Sequence, residues 1–227
     1  MGTPHISASK DEISKHILLV NEPEDSSYIA DRFFSNPVLF NEIRGMYGYT
    51  GECLGQRISV LAIGIGIPSA AIYTHELLEQ YGIKKIVHLT GCSSMGDHLE
   101  PGDILLASGC CTDNDFIRHS FKGDFAPIAE YTLLEKTYNY LLKHNISPHV
   151  GLLKSSDVIY LGTQQDDIWK QHGVLGVDTT SAVIYTLAAR FGAQALAIAT
   201  VGEKIICDVF EDVIYAAIQS MEEAHLN

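Results

Sequence analysis

Positive charge is scarce in this chain: 15 Lys and Arg stand against 28 Asp and Glu, a formal net charge of −13 over 227 residues. That balance excludes nucleic acid and anionic membranes as partners, since both require a basic footprint. It also makes any anion site depend on locally gathered donors. Cysteine is sparse. Cys53, Cys92, Cys110, Cys111 and Cys207 form no CxxC pair and are odd in number, so no disulfide framework is implied. Apolar runs never approach the roughly 18 residues of a spanning helix, and the opening MGTPHISASKDEISKH lacks the apolar core of a secretory leader. The ten histidines are scattered without metal-ligand spacing, so no metal site is expected. These absences together lead to the expectation of a cytoplasmic protein with reduced thiols. Cys92 and Cys110, at apolar strand ends, read as buried and inert.

What the sequence does contain is alternation. Apolar runs of β character recur at 16–20 (HILLV), 58–64, 85–89, 103–108, 150–155 and 195–201, continuous enough to be covered on both faces. Helical patterns lie between them. In PSAAIYTHELLEQYG, Ala70, Tyr73, Leu77 and Tyr81 share one face, with Pro68 at the start and Gly82 at the stop. EYTLLEKTYNYLLKHN, TTSAVIYTLAARFG and the final DVFEDVIYAAIQSMEEA repeat the theme. No repeat, linker or low-complexity segment interrupts residues 1–227. The expectation is one three-layer α/β/α domain around a mixed, largely parallel sheet, with ligands at the carboxyl ends of strands.

Several motifs admit bland readings. GIGIPS at 64–69 lacks the third Gly of a dinucleotide fingerprint. Past the next strand, moreover, His88 and Leu89 stand where an acid is required, so the glycines read as tight packing. Tyr138, Tyr140, Leu141 and Leu142 read as core and rim. EPED, 22–25, reads as a solvated loop. KKIVHLTGCSSMGDHLEPGDILLAS, 84–108, reads as strand, Gly/Ser turn and strand, the turn offering N–H donors to an anion amid mostly acidic neighbours.

In combination the motifs say more. TPHISA, NEIRGMYGYTG (41–51), GIGIPSAAIYTHEL (64–77), YGIKKIVHLTGC (81–92), CTD (111–113), HGVLGVDTTSAVIY (172–185) and FGAQALAIATV (191–201) occur in this order. The set resembles the hexameric, bacterial-type enzymes of the nucleoside phosphorylase family over nearly the whole chain. The resemblance implies a purine nucleoside as ligand and no cofactor beyond phosphate as co-substrate. It also implies a dimer-based homo-hexamer. In such a reaction an acid protonates the departing purine, hydroxyl-binding groups hold the ribose, and donors align the phosphate.

The same resemblance distributes roles, with departures. Glu203, after Gly202, takes the place of the family's leaving-group Asp. Asp178 keeps the first acid of the ribose stretch, Thr179 follows, and Thr180 replaces the second acid. As plain structure, the two threonines are good helix starters. Tyr160 falls near base or sugar. The family's phosphate loop, GDPxR, is here NEPED, with Asn21 for Gly and Asp25 for Arg; His88 replaces a second Arg and Gly91 a Ser. Turning Arg into Asp moves the interaction with an adjacent anion by about 8 kcal/mol at an effective dielectric near 20. A protonated His88, Arg44 and the N–H groups from Thr90 through Gly91 to Cys92 would make a weakened anion site. His5 and Arg44 match residues that reach a neighbouring subunit's site. Phosphorolysis, hydrolysis with Asp178, Glu22 or Asp25 as base, an inactive nucleoside-binding homologue, and a partner subunit all remain open at this stage.

Overall fold

The computed structural model describes residues 2–96, 99–120, 122–158, 164–202, 205 and 209–222, with only the backbone of 164–166. The chain opens with β1 (His16–Val20) and α1 (Pro23–Phe33), then a meander of β2 (Ser35–Asn41), β3 (Gly48–Cys53) and β4 (Gln56–Ala62). α2 (Ile67–Glu76) runs on into a wider π-turn, Leu77–Tyr81, and precedes β5 (Lys85–Ser94) and β6 (Ile104–Thr112). The remainder is α3 (Phe116–Ser120), α4 (Tyr131–Lys143), β7 (His149–Ser155), α5 (Gln164–Gln171), β8 (Val174–Asp178), α6 (Ser181–Phe191), β9 (Gln194–Val201) and α7 (Phe210–Ser220). Every apolar run expected to be a strand is one. β2, β3 and β8 are additional, because their exposed or glycine-broken residues carry no continuous apolar run.

The strands run in the order β2-β3-β4-β1-β5-β8-β7-β6-β9, and β9 returns to pair with β5. Five of these pairings are parallel and four antiparallel, so the sheet is mixed, as expected. β5 is its branch point. Its first half is flanked by β1 and β9, and its tip, Ser93–Ser94, crosses to β8. The two strands read within 84–108 are present as β5 and β6, but the turn read after Leu89 is corrected. Thr90, Gly91 and Cys92 lie inside a ladder, opposite Ala199, Thr200 and Val201, and no turn forms there. Extended backbone wins because β9 offers a partner through Cys92, and because Gly176 leaves room on β8: a Cβ there would lie 3.1 Å from Cys92 Sγ.

Strand periodicity divides the core. On β1, Ile17 and Leu19 face Tyr73, Leu77 and Ile184 beneath α2 and α6, whereas Leu18 and Val20 face Ile29, Phe210 and Ile214 beneath α1 and α7. These are the three layers. The face read on α2 is buried as expected, and Gly82 ends it with φ 66°. Leu141 is buried in α4, with Tyr138 and Tyr140 packed at its edge and Leu142 exposed. The glycines of GIGIPS serve packing: Gly64 has φ 72°, and a Cβ there would lie 2.9 Å from Ser69 Oγ. EPED is not a loop, since Pro23, Glu24 and Asp25 form the first turn of α1. Proline at N1 and acids against the helix dipole favour that outcome. No helix among the described residues is long and apolar enough to cross a membrane.

Candidate active site

The carboxyl ends of β1, β7 and β8 and the middle of β5 meet the N-terminus of α6, and a buried polar network fills the junction. At its base is Asp178, the last residue of β8, 4% exposed. Ser155, at the end of β7, donates its hydroxyl to Asp178 Oδ1 at 2.5 Å. The backbone N–H and hydroxyl of Ser181 both reach Oδ2. Asp178 therefore caps α6. The expected helix starter Thr180 occupies the N-cap position, yet its side chain makes no capping bond. A carboxylate reaching forward three residues satisfies one of the orphan N–H groups and suits the positive end of the helix. Burial pushes the Asp178 carboxyl up, and the Ser155 and Ser181 donors pull against it.

His88 stands above Asp178, wholly buried on β5. Its Nδ1 lies 3.1 Å from Ser181 Oγ, and its Nε2 3.0 Å from Asn21 Oδ1 and 3.4 Å from Thr180 Oγ1. Asn21 extends the chain outward: its Nδ2 donates to Thr90 Oγ1 at 3.3 Å, and Thr90 donates to the Gly91 carbonyl. Burial holds the imidazole down, to about 3 from an ordinary 6.5. The protonated His88 entertained from sequence is therefore not the form present near neutral pH. Ser181 has one hydroxyl proton between two acceptors, Asp178 and a neutral imidazole nitrogen, so the network is coupled from Asp178 out to Asn21.

Asn21 is half-buried and leads directly into α1. Asp25, in the first turn, is also half-buried, and its carboxyl is pushed up to about 6 by burial, then by Glu22 and Glu24. None of the hydrogen bonds described for His88, Asn21 or Thr180 comes from Lys or Arg.

On the other flank, Ser156 donates to Asp113 Oδ2, and Lys154, 4% exposed, pairs with that carboxylate at 2.8 Å while lying over Trp169. A cavity of about 330 Å³ opens here, lined among others by Asp113, Asn114, Arg118, Phe125 and Trp169. Asp157 accepts from Asn114 and from the Ile67 N–H at the start of α2. Cys92 and Cys110 flank the site as buried thiols, both pushed up by burial, Cys92 to about 12.

Of the residues singled out from sequence, His88, Thr90, Asp178 and Thr180 thus share one network. Thr179 turns away, accepting from the Gly66 N–H at 3.4 Å. Gly91 and Gly202 flank the network, the latter with φ 129° and its N–H on the Cys92 carbonyl. His5 and Arg44 belong elsewhere on the chain. His5 Nδ1 lies 2.6 Å from Glu76 Oε1, with its ring edge-on to Tyr73, and the exposed Arg44 acts electrostatically on the same tyrosine. Glu203 and Tyr160 lie outside the described residues. Ser155, Ser181 and the Lys154–Asp113 pair were not read from sequence. Only their positions, just past an apolar strand or at a helix start, carry a signal.

Residues 15–225 match the model of the phosphorylase superfamily. A purine nucleoside phosphorylase of DeoD type from Clostridium novyi (strain NT) is 40% identical over 205 residues, covering 89% of this chain and 88% of that protein. One from Tolumonas auensis is 38% identical, covering 97% and 99%. Uridine phosphorylase from Vibrio fischeri ES114 has the same fold, with a TM-score of 0.84 at 22% identity, covering 96% of this chain and 91% of its own.

Proposed function

The chain belongs to the phosphorylase superfamily, and from that premise we propose that it is a purine nucleoside phosphorylase-like enzyme, breaking the N-glycosidic bond of a purine-type nucleoside. Near-full-length identity with proteins named as purine nucleoside phosphorylases carries this reading. The position of the polar network supports it, at the strand ends where α/β sheets bind ligands.

Each task has a candidate group. Glu203 is the acid that protonates the departing base, which leaves with the bonding pair as C1′ becomes oxocarbenium-like. Tyr160, Thr179 and Gly202 border the nucleoside. Thr180 stands where the resemblance puts the second ribose acid; its buried hydroxyl is shared with His88 and Asn21, so the sugar meets no charge-assisted partner from it. Asp178 acts beneath them by fixing the start of α6 and hence Thr180. We place the enzyme in the cytoplasm as a dimer-based hexamer. His5 and Arg44, which gather around Tyr73 rather than His88, are the residues offered to a neighbour.

Purine release from inosine and adenosine, followed by chromatography, tests the reading. Release abolished by Glu203→Gln is expected. No purine released from either nucleoside by folded protein overturns it.

A further inference from the structure

Resting on that glycosidic reading, we propose that the acceptor in this reaction is water, and that His88 selects it by locking Asn21 and Thr180 into a neutral plug at the strand ends. An oxyanion acceptor needs donors that are free and a field that is positive. Among the described residues around His88 in one chain neither is met, and the cation proposed for the site, Arg44, comes from a neighbouring subunit. Both imidazole nitrogens of His88 are engaged inside the protein, with Ser181 and with Asn21. The Asn21 amide oxygen is engaged by His88 and one of its two N–H groups by Thr90, which leaves a single neutral donor. The backbone of Thr90 and Gly91 runs in a ladder instead of curling into a cradle.

The chain leaving Asn21 then supplies three carboxyl groups in four residues, Glu22, Glu24 and Asp25, of which Asp25 is half-buried. A dianion would meet repulsion there. A neutral nucleophile would not, and it gains a proton acceptor.

The step balances. A water oxygen bonds to C1′ as the C1′–N bond breaks. The bonding pair leaves with the purine, which takes a proton from Glu203. The attacking water gives one proton to the Asp25 carboxylate, from which it returns to solvent. Nothing is oxidised or reduced, and the products are free purine and free pentose.

The test uses the full chain with inosine, in phosphate-free buffer and again with millimolar phosphate, in isotopically labelled water. The expected result is purine release changed less than about twofold by phosphate, with the label in a free pentose. Phosphate stimulation of about tenfold or more, with a sugar phosphate visible by phosphorus NMR, overturns the proposal and leaves the glycosidic reading standing. No purine release under either condition removes the glycosidic reading and this proposal with it.

Three variants separate the roles. His88→Gln, which keeps a neutral hydrogen-bonding side chain, stays indifferent to phosphate, whereas His88→Arg gains a dependence on it. Asp25→Asn lowers kcat by about tenfold to a hundredfold with KM nearly unchanged. A kcat unaffected by Asp25→Asn removes that residue as the proton acceptor, and His88→Arg remaining indifferent to phosphate removes the plug.

Discussion

His88 Nε2 lies 3.0 Å from Asn21 Oδ1, a side-chain bond joining the residue just past β1 to the interior of its parallel neighbour β5. It is made by a histidine that burial keeps neutral, and its consequences can be measured in stability as well as in activity.

Stability should fall on acidification because of His88. The folded state holds its pKa near 3, while the unfolded chain titrates at an ordinary 6.5. Below 6.5 the unfolded state therefore binds the extra proton, and stability present above that pH is lost as pH falls towards 3. The limiting slope is about 1.4 kcal/mol per pH unit. Urea unfolding from neutral pH down to about pH 4 should show a shallower decline in His88→Gln; equal slopes would refute the assignment.

Asp25 has the opposite sign. Its folded pKa, about 6, is above the ordinary 3.8, so ionising it costs the folded state as pH rises from 3.8 through 6. Asp25→Asn should match wild type in very acid solution and exceed it above neutral pH. After discounting for solvent screening of a half-exposed group, the gain is on the order of 1 kcal/mol. Thermal midpoints across pH read it, and a variant less stable than wild type at pH 8 would contradict it.

Tyr185 is a buried tie within the sheet. Its hydroxyl donates to the Ala107 carbonyl on β6 at 2.6 Å and accepts from the Ala197 N–H on β9 at 2.7 Å. Tyr185→Phe keeps the ring but orphans both backbone groups, at a cost of about 1–3 kcal/mol. Loss of hydrogen-exchange protection at Ala197 would localise the damage. Unchanged stability would mean the strands re-pair without the hydroxyl.

Removing the cap of α6 should be worse. Asp178→Ala strips partners from Ser155 and from the Ser181 N–H, both fully buried. The expected loss is about 2–4 kcal/mol from combined capping and hydrogen-bond terms. Asp178→Asn, which retains one acceptor oxygen, should recover part of it. Chemical unfolding of both variants decides; a near-neutral Asp178→Ala would mean that the network closes over the gap.

The alternation of the chain was readable without coordinates, because a strand covered on both faces must be apolar at successive positions, as Ile17 through Val20 are. The buried face of α2 and the stops at Gly82 and Gly192 were equally legible, since helical spacing and left-handed glycines are local properties. β2 was not legible. Its first five residues are exposed, and an edge strand with one open side has no need of apolar continuity.

The site divides along the same line. Sequence by itself determined which residue types stand where: an acid at Asp178, a missing cation at Asp25, an imidazole at His88. It did so because charge and hydrogen-bonding capacity belong to side chains one at a time. Only the tertiary structure decided what those groups became. Asp178 is a buried cap because β7 brings Ser155 to it. His88 is neutral because the assembled sheet and the start of α6 bury it. Thr90 to Cys92 are extended because β9 lies within hydrogen-bonding reach. Each outcome depends on neighbours distant in the chain, and desolvation and pairing come into being only when the strands assemble.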